Sequence, residues 1–409
     1  MLKSIAASLL LAANLCSGTC VSETADRLAP SNGSAVMLSF ETLEQTVRSR
    51  NTSIQAGESK LKGEQETDVG DSYITKYADM ETEIQQYQKQ IDDLDRAINA
   101  LDPDETALRK TLKAQRNSLQ ASLAALQSSY RDLEDSEDDD EEAHEKSVSR
   151  TERQLQNTAD LLCMSAENTM LSLYTLENSI AENERTLARL NQKIETTKTQ
   201  VSIGMSSSYD LKALETQKES LLAEQKTLTT QQDSLYNTLA VQCGYDMSTE
   251  LTLDAAPEVT DEQLSAMNYD SDLATALKNS YALWEKQDAI DQASDDYENN
   301  VTTTLHAYEA AKIEYDAEVE TVTASFRELY QAVLDQKKKL DAAETAEAQA
   351  KQEFAVQQTK YQSGMLSAQD YQQAQDTLYS AEDAAAEARI NLLSAYSSYA
   401  WATRGVMSS

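Results

Sequence analysis

Two histidines and four cysteines are the residues that could act here as general base, nucleophile or soft metal ligand. His144 lies inside an acidic run, and His306 lies in a helical pattern. Neither has a Ser, Cys or Asp partner at the spacing of a catalytic motif. No glycine-rich phosphate loop and no zinc-type cluster occurs. The chain therefore reads as a non-enzyme, with no catalytic residue, no metal site and no cofactor. Residues 132–145 carry ten acids in fourteen but lack the glycine-spaced calcium-loop pattern. Like charges repel, so this run reads as a loop or a frayed helix end. Trp284 and Trp401 read as fillers of helical seams.

A phrase that occurs twice is more informative. Residues 203–210 read I-G-M-S-S-S-Y-D, and residues 363–370 read S-G-M-L-S-A-Q-D. Gly204, Met205, Ser207 and Asp210 recur at the same offsets as Gly364, Met365, Ser367 and Asp370. Each glycine is isolated within a long apolar-periodic stretch. Such a glycine marks a stop and reversal, because it reaches positive φ without steric cost. Serine, with aspartate three residues on, suits the cap of the descending helix.

The flanking segments are helices by their spacing. Leu173, Leu176, Ile180, Leu187, Leu190, Ile194 and Val201 lead into the first phrase; Leu214, Leu221, Leu228 and Leu235 lead out. The second phrase lies between a seam from Val319 to Tyr361 and an alanine-rich one from Tyr371 to Ala402. Spacing of this kind over several heptads predicts two long antiparallel coiled-coil hairpins. An arm of roughly 40 residues would span about 60 Å. The chain has only 3 Pro and 9 Gly in 409 residues, which also fits long helices. Cys163 and Cys243 lie 43 and 37 residues from the first reversal, near residue 206. They would fall within one to two turns of each other, as a disulfide or as two buried thiols.

A net charge of −35 excludes nucleic acid and anionic membrane surfaces as partners. Lys3 and the 11-residue, largely apolar stretch Ile5–Leu15 predict a signal peptide over 1–22. Leu15 before Cys16 and Thr19 before Cys20 do not suit lipidation. Residues 26–37 read as a polar leader. Residues 38–60 read as a helix whose first apolar run ends at Asn51, and the glycines of 57–72 as a break. Ile84 to Leu101 and Leu108 to Leu133 form two seams about an Asp102-Pro103 turn, which predicts a coiled-coil insert over 79–145. Residues 244–270 read as a non-helical bridge with strand-like Leu251–Leu253. Val301–Leu305 is also strand-like.

In this order the signals resemble the TolC-like outer-membrane efflux family, whose members consist of two structural repeats. The repeat openings resemble Thr42–Ile54 and Ser271–Leu283, with Asn279 answering Asn51. The tips resemble the two phrases. The repeat ends resemble L-A-V-Q-C-G closing at Gly244 and Y-A-W-A-T-R-G closing at Gly405. The resemblance implies repeats over 26–250 and 251–409. It also implies trimeric assembly, and a membrane-fusion adaptor and ABC-type transporter as partners. The two tips, Gly204, Met205, Ser207, Asp210, Gly364, Met365, Ser367 and Asp370, would form the docking surface.

Thr52 and Ser280 replace the family's opening prolines, and no ten-residue alternating strands appear. The fold class is therefore all-α, a barrel-less TolC-like bundle with an inserted hairpin. It is exported to the cell envelope or beyond, and the missing strands argue against outer-membrane insertion. The function implied is an extracytoplasmic part of an efflux or secretion assembly. A different class, a cell-wall scaffold or regulator of a peptidoglycan hydrolase, remains as the alternative reading.

Overall fold

A computed structural model describes residues 35–297 and 301–407. The signal-peptide expectation lies outside them. The elements run β1 (Val36–Leu38), α1 (Phe40–Arg50), α2 (Thr52–Gln65), α3 (Ile74–Ala100), α4 (Thr106–Ser202), α5 (Ser208–Gln242), β2 (Leu251–Leu253), α6 (Asp261–Ala266), α7 (Tyr269–Asn279), α8 (Tyr281–Asp295), α9 (Thr302–Gln362) and α10 (Ala368–Thr403). The fold is all-α, as the heptads predict. Among the described residues the strands form one parallel pair, with Val36 opposite Leu251, and no barrel closes. No described helix is long and apolar enough to cross a membrane.

The chain forms two compact units, each drawing on both halves of the sequence. The first comprises 35–51, 165–259 and 338–394. In it the heptads of α4 and α5 meet as an antiparallel pair. Gln242 donates to Ser165 Oγ (3.0 Å), Tyr236 to Glu177 (3.0 Å) and Asn183 to the Leu221 carbonyl (3.5 Å). Leu187, Leu190 and Ile194 are buried along this seam. In the second hairpin Phe354 and Tyr361 pack on Tyr371, and Arg389 pairs with Glu344 and Glu347.

The two hairpins are tied together across α4 and α10. Gln372 donates to Gln192 (3.3 Å), Arg189 pairs with Asp376 (2.5 Å), and Arg185 pairs with Asp383. The α4 partner numbers fall as the α10 numbers rise, so these helices are antiparallel. Measured back from the glycines, the first contact lies 12 residues along α4 and 8 along α10. Both glycine reversals therefore sit at the same end of this unit.

The second unit comprises 52–164, 260–337 and 395–407. Its inserted hairpin pairs α3 with the start of α4. Ile91 and Ile98 are buried, and Arg116 pairs with Asp95 (3.0 Å). Its other core is aromatic: Phe326 is fully buried between Tyr269 and Tyr399, with Tyr330 alongside.

The acidic run 132–145 is not a loop or frayed end; it is interior to α4. The seam continues through it, with Leu133, Glu137, His144 and Val148 half-buried. The carboxylates on the seam side meet donors. Tyr77 donates to Glu137 and Tyr73 to Asp140, each at 2.5 Å. The hydrogen bond to Asp140 pushes the Tyr73 phenol up to about 12.

Several other expectations change. Gly57 and Gly63 do not break the chain: α2 runs through both to Gln65. A Cβ at Gly57 would lie 2.4 Å from Leu155 Cδ1, so this glycine makes room for a neighbour. Gly63 has nothing within 4 Å. Replacing it by alanine should therefore stabilise the protein by about 0.5–1 kcal/mol, read as a raised denaturation midpoint. The leader's last residues form β1. The bridge contains α6, opened by a Thr260–Gln263 capping box. Residues 302–305 are helical, and Leu108 is exposed rather than in a seam.

Candidate functional site

Among the described residues four glycines have positive φ: Gly204 (75°), Gly244 (68°), Gly364 (73°) and Gly405 (87°). Each closes a helix in the same way. At the first tip Gly204 N–H bonds to the Val201 carbonyl (3.1 Å) and Met205 N–H to Gln200 (2.8 Å). At the second, Gly364 bonds to Tyr361 (2.9 Å) and Met365 to Lys360 (2.8 Å). The repeat ends repeat the pattern, with Tyr245 N–H on Ala240 and Val406 N–H on Trp401. This is the Schellman closure, in which the residue after the glycine ordinarily packs on the residue that accepts its N–H.

The repeat ends obey that rule and the tips do not. Val406 (4 % exposed) and Trp401 (2 %) are both buried, and Tyr245 is half-buried with the Arg50 guanidinium 4.3 Å from its ring. At the tips the accepting residues are polar, Gln200 and Lys360, and offer no apolar surface. Met205 is 76 % and Met365 72 % exposed. Neither glycine at the tips has any atom within 4 Å of where a Cβ would stand. The tip methionines thus do not cover their turns.

Serine and aspartate act as caps. Ser207 Oγ accepts from Asp210 N–H (3.1 Å), and Asp210 Oδ2 accepts from Ser207 N–H (3.2 Å), Ser207 O–H (2.7 Å) and Ser206 O–H (3.3 Å). The Ser207 bonds hold the Asp210 carboxyl below its ordinary value of 3.8. At the second tip Ser367 Oγ accepts from Asp370 N–H (3.1 Å) and donates to Asp370 Oδ2 (2.7 Å). Replacing Ser207 or Ser367 by alanine should cost about 1 kcal/mol. The loss should appear as faster hydrogen exchange in the first turn of α5 or α10, with the tip otherwise unchanged.

Sequence reasoning placed Tyr361 in the seam but missed two further apolar side chains at the tips, Ile203 and Tyr209. Ile203 is 64 % exposed, Tyr209 80 %, and Tyr361 is exposed while stacked on Tyr371 at 4.5 Å. Ile203 and Tyr209 fall off the 3-4 seam, the signal that could have found them. Cys163 and Cys243 are both fully buried. Among the described residues no group of His, Cys, Asp and Glu is arranged to hold a metal.

No protein-family model and no curated protein matches this chain. Solved structures do. A membrane protein from Pseudomonas aeruginosa aligns with 96 % of this chain and 98 % of its own, at 11 % identity and a TM-score of 0.53. The outer-membrane channel OprN aligns over 90 % of each chain at 12 % identity and a TM-score of 0.50. The CmeC outer membrane channel of Campylobacter jejuni is covered over 66 % of its length by 64 % of this chain, at 12 % identity and a TM-score of 0.48. At these identities the similarity speaks to the fold, which is a TolC-like one.

Proposed function

We infer that this chain is an exported, TolC-like component of an efflux or secretion assembly that docks an adaptor protein through its two tips. The observation that carries this reading is the contrast between the four helix closures. The same backbone motif buries its following side chain at Gly405 and half-buries it at Gly244. At the tips it leaves Met205 and Met365 open to solvent. Methionine is flexible and apolar, and suits a contact that must adapt to a partner. Ile203 and Tyr209 extend the apolar surface at the first tip. The adaptor would link the tips to an ABC-type transporter. Three copies would assemble side by side, as the resemblance implies, in the cell envelope and without a barrel contributed by this chain.

The test is capture, by the purified protein, of a membrane-fusion adaptor protein from the same organism. Met205→Asp with Met365→Asp should weaken capture more than tenfold while the melting temperature moves by no more than a degree or two. The stability should hold because neither side chain contributes to a core. Capture equal to wild type would leave the tips as turns only.

A further inference from the structure

The inserted hairpin has an outer face that is exposed among the described residues. Helix α4 meets α3 through Leu112, Leu119, Leu126 and Leu133. On the opposite side Lys110, Lys113, Ala121, Ala124, Asp135 and Asp138 fall within an arc of about 100° at 100° per residue, and all six are exposed. No ion pair within the described chain engages these two lysines or these two aspartates.

Four of the five charges on this face are placed symmetrically; the fifth, the exposed Arg131, lies seven residues after Ala124 and has the uncharged Asn117 at its mirror position. Lys110 and Lys113 lie 14 and 11 residues before Ala124; Asp138 and Asp135 lie 14 and 11 residues after it. A partner of uniform charge would suit one end and be repelled by the other. A copy laid parallel would set lysine on lysine and aspartate on aspartate. A copy laid antiparallel sets every lysine on an aspartate. An isologous contact has this form, with each patch meeting its complement across one two-fold axis.

We propose that the outer face of α4 from Lys110 to Asp138 pairs antiparallel with the same face of a second copy of this chain, about a two-fold axis through Ala124. Alanine at 121 and 124 lets the two helix backbones approach. The flanking charges fix direction and register and reject the parallel arrangement, a role suited to exposed charge pairs. Because these pairs are screened by salt, the contact weakens as ionic strength rises past the range where the Debye length is about 10 Å. The face shares no residue with the tips, so the inference does not rest on adaptor docking; a two-fold contact joins copies from different three-copy assemblies, not copies within one.

The experiment uses the full-length protein and a short bis-maleimide reaching about one helix–helix spacing, 8–10 Å. Ala124→Cys should give a covalent dimer. Asn117→Cys should give less than a tenth as much, since antiparallel copies hold residue 117 about 21 Å apart along the axis at 1.5 Å per residue. The wild-type protein sets the background from its own cysteines.

In the Ala124→Cys protein, Lys110→Glu with Lys113→Glu should lower the dimer yield at least tenfold. Asp135→Lys with Asp138→Lys should do the same. An equal mixture of the two variants should restore the yield, because the four exchanged positions then carry only acids on one copy and only lysines on the other. Circular dichroism of each variant establishes that the helices persist. Absence of the Ala124→Cys dimer, equal cross-linking through Asn117→Cys, or charge reversals without effect would each overturn the proposal.

Discussion

Gly405→Ala should destabilise the protein by about 3–5 kcal/mol, while Gly364→Ala should cost about 1–2 kcal/mol. The two glycines have nearly the same backbone conformation, φ of 87° and 73°, and close their helices with the same pair of hydrogen bonds. Any L-residue with a Cβ bears the left-handed strain at both. They differ in what lies against them. A Cβ at Gly405 would stand 2.4 Å from the Asn279 carbonyl carbon, 2.5 Å from its oxygen and 2.6 Å from Ser280 nitrogen. Those are backbone atoms at the break between α7 and α8 and cannot swing aside. At Gly364 nothing lies within 4 Å. Gly244 should behave like Gly405, since its Cβ would meet the Arg50 carbonyl oxygen at 2.2 Å. Urea unfolding of the four alanine variants separates the pairs. Equal losses at all four positions would show that conformation alone sets the cost.

Phe326→Ala should also cost about 3–5 kcal/mol, because it empties a fully buried aromatic site. The ring has no solvent exposure and lies 5.5 Å from Tyr399 and 5.9 Å from Tyr269. Neither tyrosine can close the hole easily. Tyr399 is held by its hydroxyl on Asp272, and Tyr269 also packs edge-on to Tyr330. Phe354 supplies the control. It is only half-buried and packs on a single ring, Tyr371, at 5.5 Å. Phe354→Ala should lose roughly half as much, in line with the smaller apolar area withdrawn from water. Denaturant midpoints at constant slope would measure both.

The long helices were legible because their signal is spread over many residues. In α5, the positions Leu214, Leu221, Leu228 and Leu235 are all shielded as the heptad requires. The tips were legible for the opposite reason, since each rests on one isolated glycine whose conformation nothing else could adopt. The acidic run misled because charge density was weighed above periodicity. The seam side of that run carries acids whose donors, Tyr73 and Tyr77, come from about 60 residues earlier.

The equivalence of Asn51 with Asn279 was off by one. The extended break residues are Asn51 (φ −61°, ψ 124°) and Ser280 (φ −56°, ψ 123°), and the carbonyls that face the repeat-end glycines belong to Arg50 and Asn279. A break is set by the backbone that packs on it, and residue identity alone does not show that. Strand β1 escaped notice because Val36 and Met37 were read with the polar leader and Leu38 with the helix that follows. The exposure of Met205 and Met365 was latent in the sequence. It follows from Gln200 and Lys360, once the hydrogen-bond pattern of the turn identifies them as the residues the methionines would have covered.

The pairing of β1 with β2 sets an order of assembly. Val36 bonds in register with a strand whose first residue, Leu251, is 215 positions later. Coiled-coil hairpins close through near neighbours and can form as each returning arm appears. A parallel strand pair at that separation cannot begin until the far strand exists. At a synthesis rate of about 5–20 residues per second, β1 waits on the order of ten to forty seconds for its mate. Through that interval its apolar residues Val36 and Leu38 are an unsatisfied edge, open to any other extended chain nearby. The first hairpin, complete by Gln242, is the last element to finish before the wait ends. Pairing of β1 with β2 therefore follows completion of the first hairpin and can precede the second, whose helices run from Thr302 to Thr403.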